Sequence, residues 1–238
     1  MQKRPGALAM GLVMLVTGLA APAWGDFEAG SRAYEQGDYA TALKEWRPLA
    51  EQGDAPAQRV LGVLYSLGRG VPQDDAEAAK WYRQAAEQGD AVAQTALGAL
   101  YRQGHGVPQN DAEAVKWYRH AAAQGVAFAQ YNLGVMYAHG RGVAQDYTQA
   151  AEWYRQAAEQ GNANAQNDLG SLYAGGRGVP QDYERAYLWL SLAASRRTGD
   201  RFEETAKERD MIASKLTPEQ LARAQKMARD WKPNRQPQ

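Results

Sequence analysis

The sequence predicts an all-α fold, a solenoid of about six stacked antiparallel helix pairs, and three observations predict it. First, an Ala-Gln pair recurs at Ala57-Gln58, Ala93-Gln94, Ala129-Gln130 and Ala165-Gln166, always 36 residues apart. Trp81, Trp117, Trp153 and Trp189 keep the same interval, as do Leu61, Leu97, Leu133 and Leu169. A fixed period of this length marks stacked units, each too small to bury its apolar face alone. Second, the apolar positions inside each unit fall at helical spacing. Ala57, Leu61, Leu64 and Tyr65 share one face, and Ala78, Trp81, Tyr82, Ala85 and Ala86 share another. Third, Ala, Glu, Gln, Arg and Leu recur throughout, whereas β-branched residues other than Val are few.

The chain opens on Lys3 and Arg4, followed by a 15-residue nonpolar run from Ala7 to Ala21 and small residues at Ala21, Ala23 and Gly25. That order of basic, apolar and small reads as a secretory signal over residues 1–25, cleaved after Ala23 or Gly25. The run is shorter than the ~20 residues that span a bilayer, and Gly18 and Pro22 interrupt its end. Cleavage after Gly25 removes two basic residues and leaves 25 basic groups against 27 acidic ones. A periplasmic or secreted location is therefore expected. Such a balance attracts neither nucleic acid nor an anionic membrane surface. Because the chain has no cysteine, disulfides, thiolate catalysis, cysteine metal sites and a lipid anchor are all excluded.

Residues 26–53 read as a degenerate first pair, with a helix over 27–36 and a second one capped by Asp38 and kinked at Pro48. Four regular units follow, at 54–89, 90–125, 126–161 and 162–195. Their second helices start at the N-caps Asp74, Asn110, Asp146 and Asp182. Glu77, Glu113 and Gln149 stand three residues on, as capping boxes require, and Arg185 breaks the pattern in the fourth copy. Gly89, Gly125 and Gly161 end the second helices in the left-handed conformation. Inside the first helices, Gly62, Gly98, Gly134 and Gly170 each weaken the helix by ~1 kcal/mol relative to Ala. Their recurrence predicts a close backbone approach with an indole or phenol ring lying over it. After Ser195 the period ends. Residues 196–231 read as a terminal capping pair. Its first helix, over 201–215, points Phe202, Ala206, Arg209 and Ile212 inward, and its second starts at a Thr217 N-cap with Pro218 and Gln220. A disordered tail is expected over 232–238.

The pattern Ala-Gln-x-x-Leu-Gly-x-x-Tyr, then Gly-Arg-Gly-Val-Pro-Gln-Asp, then Ala-x-x-Trp-Tyr-Arg-Gln-Ala-Ala-Glu-Gln-Gly resembles the Sel1-like repeat, a relative of the tetratricopeptide repeat. Matching copies run from about Asp54 to Ser195. The resemblance implies a right-handed α-solenoid whose first helices line a concave surface, and adaptor or scaffold work in larger assemblies.

A search for chemistry yields little. His105 and His139 lie in or beside Gly-x-Gly turns of adjacent copies, but two histidines without a nearby carboxylate underfill a zinc site. The glycine turns themselves lack the preceding strand and the following Lys-Ser or Lys-Thr of a phosphate loop. No catalytic set, metal or cofactor is expected. Function is instead expected where the copies differ on the exposed face of the first helix. Those positions include Arg59, Arg102, Phe128, Tyr131, Val135 and His139. Phe128, Tyr131 and Val135 are spaced i, i+3 and i+7, so they share a face apart from Leu133, Met136 and Tyr137. Aromatic side chains anchor interfaces well, and Arg102 of the preceding copy is placed to border the patch; packing between repeats is the competing role for Phe128 and Tyr131. The expected partner is a peptide or helix of another exported protein. An envelope hydrolase and a secreted host-directed effector are the alternatives.

Overall fold

The computed structural model describes residues 25–234. The expected signal over 1–25 lies outside the described residues apart from Gly25, and so do tail residues 235–238. Twelve helices and no strand are present among the described residues: α1 Phe27–Glu35, α2 Tyr39–Glu51, α3 Ala55–Leu67, α4 Asp75–Glu87, α5 Ala91–Gln103, α6 Asp111–Ala123, α7 Ala127–His139, α8 Tyr147–Glu159, α9 Ala163–Gly175, α10 Tyr183–Ala194, α11 Asp200–Ala213 and α12 Pro218–Asp230. Helices α1 to α10 pack as five consecutive antiparallel pairs, each stacked on the next to form a solenoid, whereas α11 and α12 do not make the terminal pair expected over 196–231: they scarcely meet, and both pack on α10. No helix among the described residues is long and apolar enough to cross a membrane.

Local chemistry sets the helix ends. Asp74, Asn110 and Asp146 each accept two amide hydrogen bonds in the first turn of α4, α6 and α8, and Asp182 accepts one from Arg185 in α10. The reciprocal half of the expected capping boxes is not made there. The N-cap amides of Asp74, Asn110, Asp146 and Asp182 donate instead to the carbonyls of Tyr65, Tyr101, Tyr137 and Tyr173, at 2.9–3.0 Å. That bond ties the end of each first helix to the start of its partner and leaves Glu77 free to pair with Lys80. Only Thr217 and Gln220 close a full box, at the head of α12. At the other end of α4, the amides of Gly89 and Asp90 bond back to Ala86 and Ala85, and Gly89 adopts φ +97°, the Schellman arrangement.

The recurring glycines of the first helices are contact points between paired helices. A Cβ on Gly62, Gly98 or Gly134 would lie 2.6, 2.8 or 2.6 Å from the ring of Tyr82, Tyr118 or Tyr154, and one on Gly170 would lie 2.9 Å from Leu190. The phenol, not the indole, covers the gap in the regular copies. In the first pair the same device appears as Gly30 under the Trp46 indole, whose N–H donates to the Phe27 carbonyl at 3.1 Å.

Two hydrogen-bond ladders join successive copies. Gln58, Gln94, Gln130 and Gln166 are buried, and each donates its amide to the carbonyl eight residues earlier, Ala50, Ala86, Ala122 or Ala158, at 3.0–3.2 Å. The first three also accept from Gln88, Gln124 and Gln160 at 2.7–2.8 Å. Gln166 has no such donor, because Arg196 stands at that register position, and its Oε1 is buried without a partner among the described residues. The second ladder runs from Arg47, Arg83, Arg119 and Arg155 to the hydroxyls of Tyr65, Tyr101, Tyr137 and Tyr173, at 2.7–3.3 Å.

The C-terminal end departs from expectation in two ways. On α11 the buried residues are Thr205 and Ile212, at 1% and 5% exposure, while Phe202 is 43% exposed. Thr205 turns inward because its hydroxyl meets Arg197 and Asn167 on the face of α9, a polar contact that an apolar pattern does not reveal. The tail is docked as far as it is described: the Asn234 amide donates to the Glu159 carbonyl at 2.8 Å, and Trp231 stands edge-on to Trp189. Both α11 and α12 pack on α10, where Arg223 of α12 pairs with Glu184 at 2.6 Å. Pro48 lies within α2, which runs on to Glu51.

Candidate partner-binding face

The six positions singled out from the sequence separate into three environments. Arg59 is engaged between copies: its Nε donates to Asp90 at 3.0 Å, and Asp90 also caps α5. The Arg102 guanidinium stands beside the Tyr118 hydroxyl without closing a hydrogen bond of normal geometry, and its Nε is buried and unpaired among the described residues. Phe128, in the first turn of α7, is 55% exposed, and Val92, one period earlier, is equally so. These two, with exposed Pro56, form a row of apolar side chains across three copies.

Tyr131 and Val135 do not stand clear of the core. Both are half-buried against the cluster between the third and fourth copies, and the Tyr131 ring lies 5.8 Å from that of Tyr154 at an interplanar angle of 31°. The side of α7 that carries them is covered by α8 and α9, so of the three residues expected to form one exposed patch only Phe128 is open to solvent. Burial and the neighbouring Asp168 carboxylate push the Tyr131 hydroxyl up to about 12.

His139, exposed at the end of α7, rims a cavity of about 260 Å³ that the sequence did not disclose. Its walls are Ala138, Tyr147, Tyr154, Asp168, Ser171, Leu172 and Arg177. The strand-free turn after α9 fixes one side: a Cβ on Gly178 would fall 2.2 Å from the Tyr147 backbone, so glycine lets the turn rest on the head of α8. Arg177 then lies over the Tyr147 ring, 5.3 Å from its centroid. On the other side, Asp168 accepts from the Asn167 amide at 3.2 Å. The Asn167 carbonyl oxygen accepts in turn from Arg197 at 3.0 Å, and Arg197 also reaches Asn164 and Thr205, at 2.9 and 2.6 Å. Asp168 forms no ion pair among the described residues. A signal for it was present in the register, since positions 60, 96, 132 and 168 read Val, Ala, Asn and Asp.

Burial pushes the Asp168 carboxyl above its ordinary value of 3.8, against the opposing pull of the Asn167 amide and the Arg197 charge. The folded chain therefore holds this proton more tightly than the unfolded one. The associated stability is fully present below about pH 3.8 and is lost as pH rises through the folded value. Asp168→Asn is expected to melt above the wild type at pH 7, and the gap is expected to close as pH falls toward 4. Parallel thermal melts at pH 7, 5 and 4 check this; a pH-independent gap would point to packing instead of charge.

The family model described as the Sel1 repeat matches residues 55–90, 91–126, 127–162 and 163–197. Among curated proteins no sequence matches. Of the solved structures, a Sel1 repeat protein from Oxalobacter formigenes superposes with a TM-score of 0.69 at 30% identity, covering 87% of this chain and 100% of its own. The protein c5321, described as a protective antigen present in uropathogenic Escherichia coli strains and displaying an SLR fold, superposes with a TM-score of 0.69 at 35% identity. That match covers 87% of this chain and 50% of c5321, so the chain spans half the length of that relative.

Proposed function

This chain belongs to the Sel1 repeat family, and from that premise we propose that it is an exported, non-catalytic scaffold that holds a peptide or helix of another exported protein along its first helices. The Sel1 repeat fold is a scaffold for protein–protein contacts. The observation that carries the proposal is the division of labour among positions. The period-keeping Gln, Arg, Tyr and Gly residues are spent on the ladders and ring contacts between helices, whereas Phe128 and Val92 stand exposed in register on adjacent copies. An apolar row on consecutive units is the form of anchor that an extended or helical segment fills. Export rests on the leader read from residues 1–25 and agrees with a relative described as a protective antigen.

Phe128→Asp combined with Val92→Ser is expected to abolish capture of envelope proteins by the immobilised 26–238 chain. Unchanged capture by a variant with wild-type helical circular dichroism would remove this face from consideration. Export is checked separately, by fusing residues 1–26 to a reporter that is active only outside the cytoplasm.

A further inference from the structure

The repeats provide an internal comparison for the cavity beside His139. In each of the first three copies a tyrosine of the second helix covers the glycine of the first, and one side chain of the first helix faces its hydroxyl. In the first copy that residue is Ser66, 3.5 Å from the Tyr82 hydroxyl. In the second it is Arg102, whose guanidinium stands at the Tyr118 hydroxyl. In the third it is Ala138, and Tyr154 forms part of the wall of the cavity of about 260 Å³. On the opposite wall, supplied by the next first helix, the corresponding residues are Ala96, Asn132 and Asp168. Between the second junction and the third, then, a guanidinium has been removed and a carboxylate has been added.

Deepening the partner-binding reading on which it rests, we propose that this cavity receives one cationic side chain of the partner, an arginine or a lysine, in the place that Arg102 fills one copy earlier. The nearby cations do not already satisfy the site. Arg177 lies over Tyr147 in the register position where Arg141 clamps Asp111, at 3.1 and 3.2 Å, so it is committed to joining copies. Arg197 is held by three neutral oxygens, those of the Asn167, Asn164 and Thr205 side chains. Relative to the preceding junction, Ala138 replaces Arg102 and Asp168 replaces Asn132, while the added Arg197, whose register equivalent is Gly161, acts on Asp168 only from beyond Asn167 and forms no ion pair with it. A guest cation would give Asp168 the ion pair that it lacks among the described residues. The cavity has room for a side-chain head group, and Tyr154 and Asp168 stand together in its wall. An anionic guest would meet the Asp168 carboxylate in a partly desolvated setting, which opposes it.

The test uses the 26–238 chain, isotopically labelled, and three neutral-ended probes: N-acetyl-arginine amide, N-acetyl-lysine amide and N-acetyl-citrulline amide. Amide resonances of Ala138, His139, Asp168 and Ser171 are followed up to about 50 mM probe. The arginine or lysine probe is expected to shift them saturably, with citrulline at least about tenfold weaker. Asp168→Asn is expected to weaken the cationic probe by about tenfold or more, and Ala138→Arg is expected to block it while leaving the remaining spectrum intact. Equal binding of citrulline, undiminished binding to Asp168→Asn, or no shift from either cation overturns the proposal. Partner capture by Ala138→Arg separates this inference from the scaffold reading. Capture that survives Ala138→Arg but is lost in the Phe128 variant leaves the scaffold standing and removes the cation site.

Discussion

Replacing Gln94 with Leu is expected to reduce the unfolding free energy by about 2–4 kcal/mol, far more than the same change at Gln166. Leucine roughly preserves the volume, so the effect comes from hydrogen bonding. Gln94 is buried, donates to Ala86 at 3.0 Å and accepts from Gln124 at 2.8 Å; the substitution removes both bonds and leaves Gln124 only the Gly89 carbonyl, at 3.1 Å, as its acceptor across the copies. Gln166 donates to Ala158 in the same manner, but its Oε1 has no partner among the described residues. Gln166→Leu therefore removes one bond together with one orphaned acceptor, and an effect of about 0–2 kcal/mol is expected. Because stability in a solenoid is approximately a sum over units and their interfaces, breaking the ladder between the first and second regular copies is also expected to broaden the transition. Urea titrations followed by tryptophan fluorescence and by circular dichroism check both points. Equal losses at Gln94 and Gln166 would show that the donor bond alone carries the ladder.

Gly134→Ala is the second large effect. Helix propensity alone favours alanine by ~1 kcal/mol, yet a net loss of about 1–3 kcal/mol is expected. The new Cβ would stand 2.6 Å from Tyr154 Cδ1 and 3.3 Å from the Ala150 carbonyl oxygen, and a ring carbon next to the backbone attachment has little freedom to retreat. The fourth copy suggests a rescue, since there Gly170 faces Leu190 at 2.9 Å from Cγ. Tyr154→Leu by itself removes ring packing, but combined with Gly134→Ala it is expected to lose less than the sum of the single changes. A double-mutant cycle in denaturant reads that coupling, and strict additivity would refute the contact as the source of the penalty.

The two experiments concern positions whose recurrence was plain in the sequence while their roles were not equally so. The glycines announced a close approach, because an unfavourable helix residue repeated at one register demands a steric reason, and the ring over it was found. The glutamines marked the period without indicating their purpose. Their partners lie at separations of 8 and 30 residues, and the donor to Gln58 is Gln88, which local helix chemistry reads only as a cap. The capping boxes failed for a related reason: a carbonyl at the end of the preceding helix offered the N-cap amide a better-placed acceptor than the side chain three residues on.

The candidate face divides along the same line. A helical wheel correctly placed Phe128, Tyr131 and Val135 on one side of α7, but not which neighbour covers that side. Asp168 and the cavity around it were visible only as a polar drift across four equivalent positions.

What the sequence by itself determined is what recurs at one register: the helix pairs from α1 to α10, their N-cap residues, the glycine contacts and the solenoid built from them. The tertiary structure alone decided which side chains remain exposed, that Thr205 and not Phe202 turns inward on α11, and that Ala138 and Asp168 bound a cavity. The physical reason is that such features depend on contacts between three successive helices, and a period states that neighbours are alike without stating what fills the space between them when they differ.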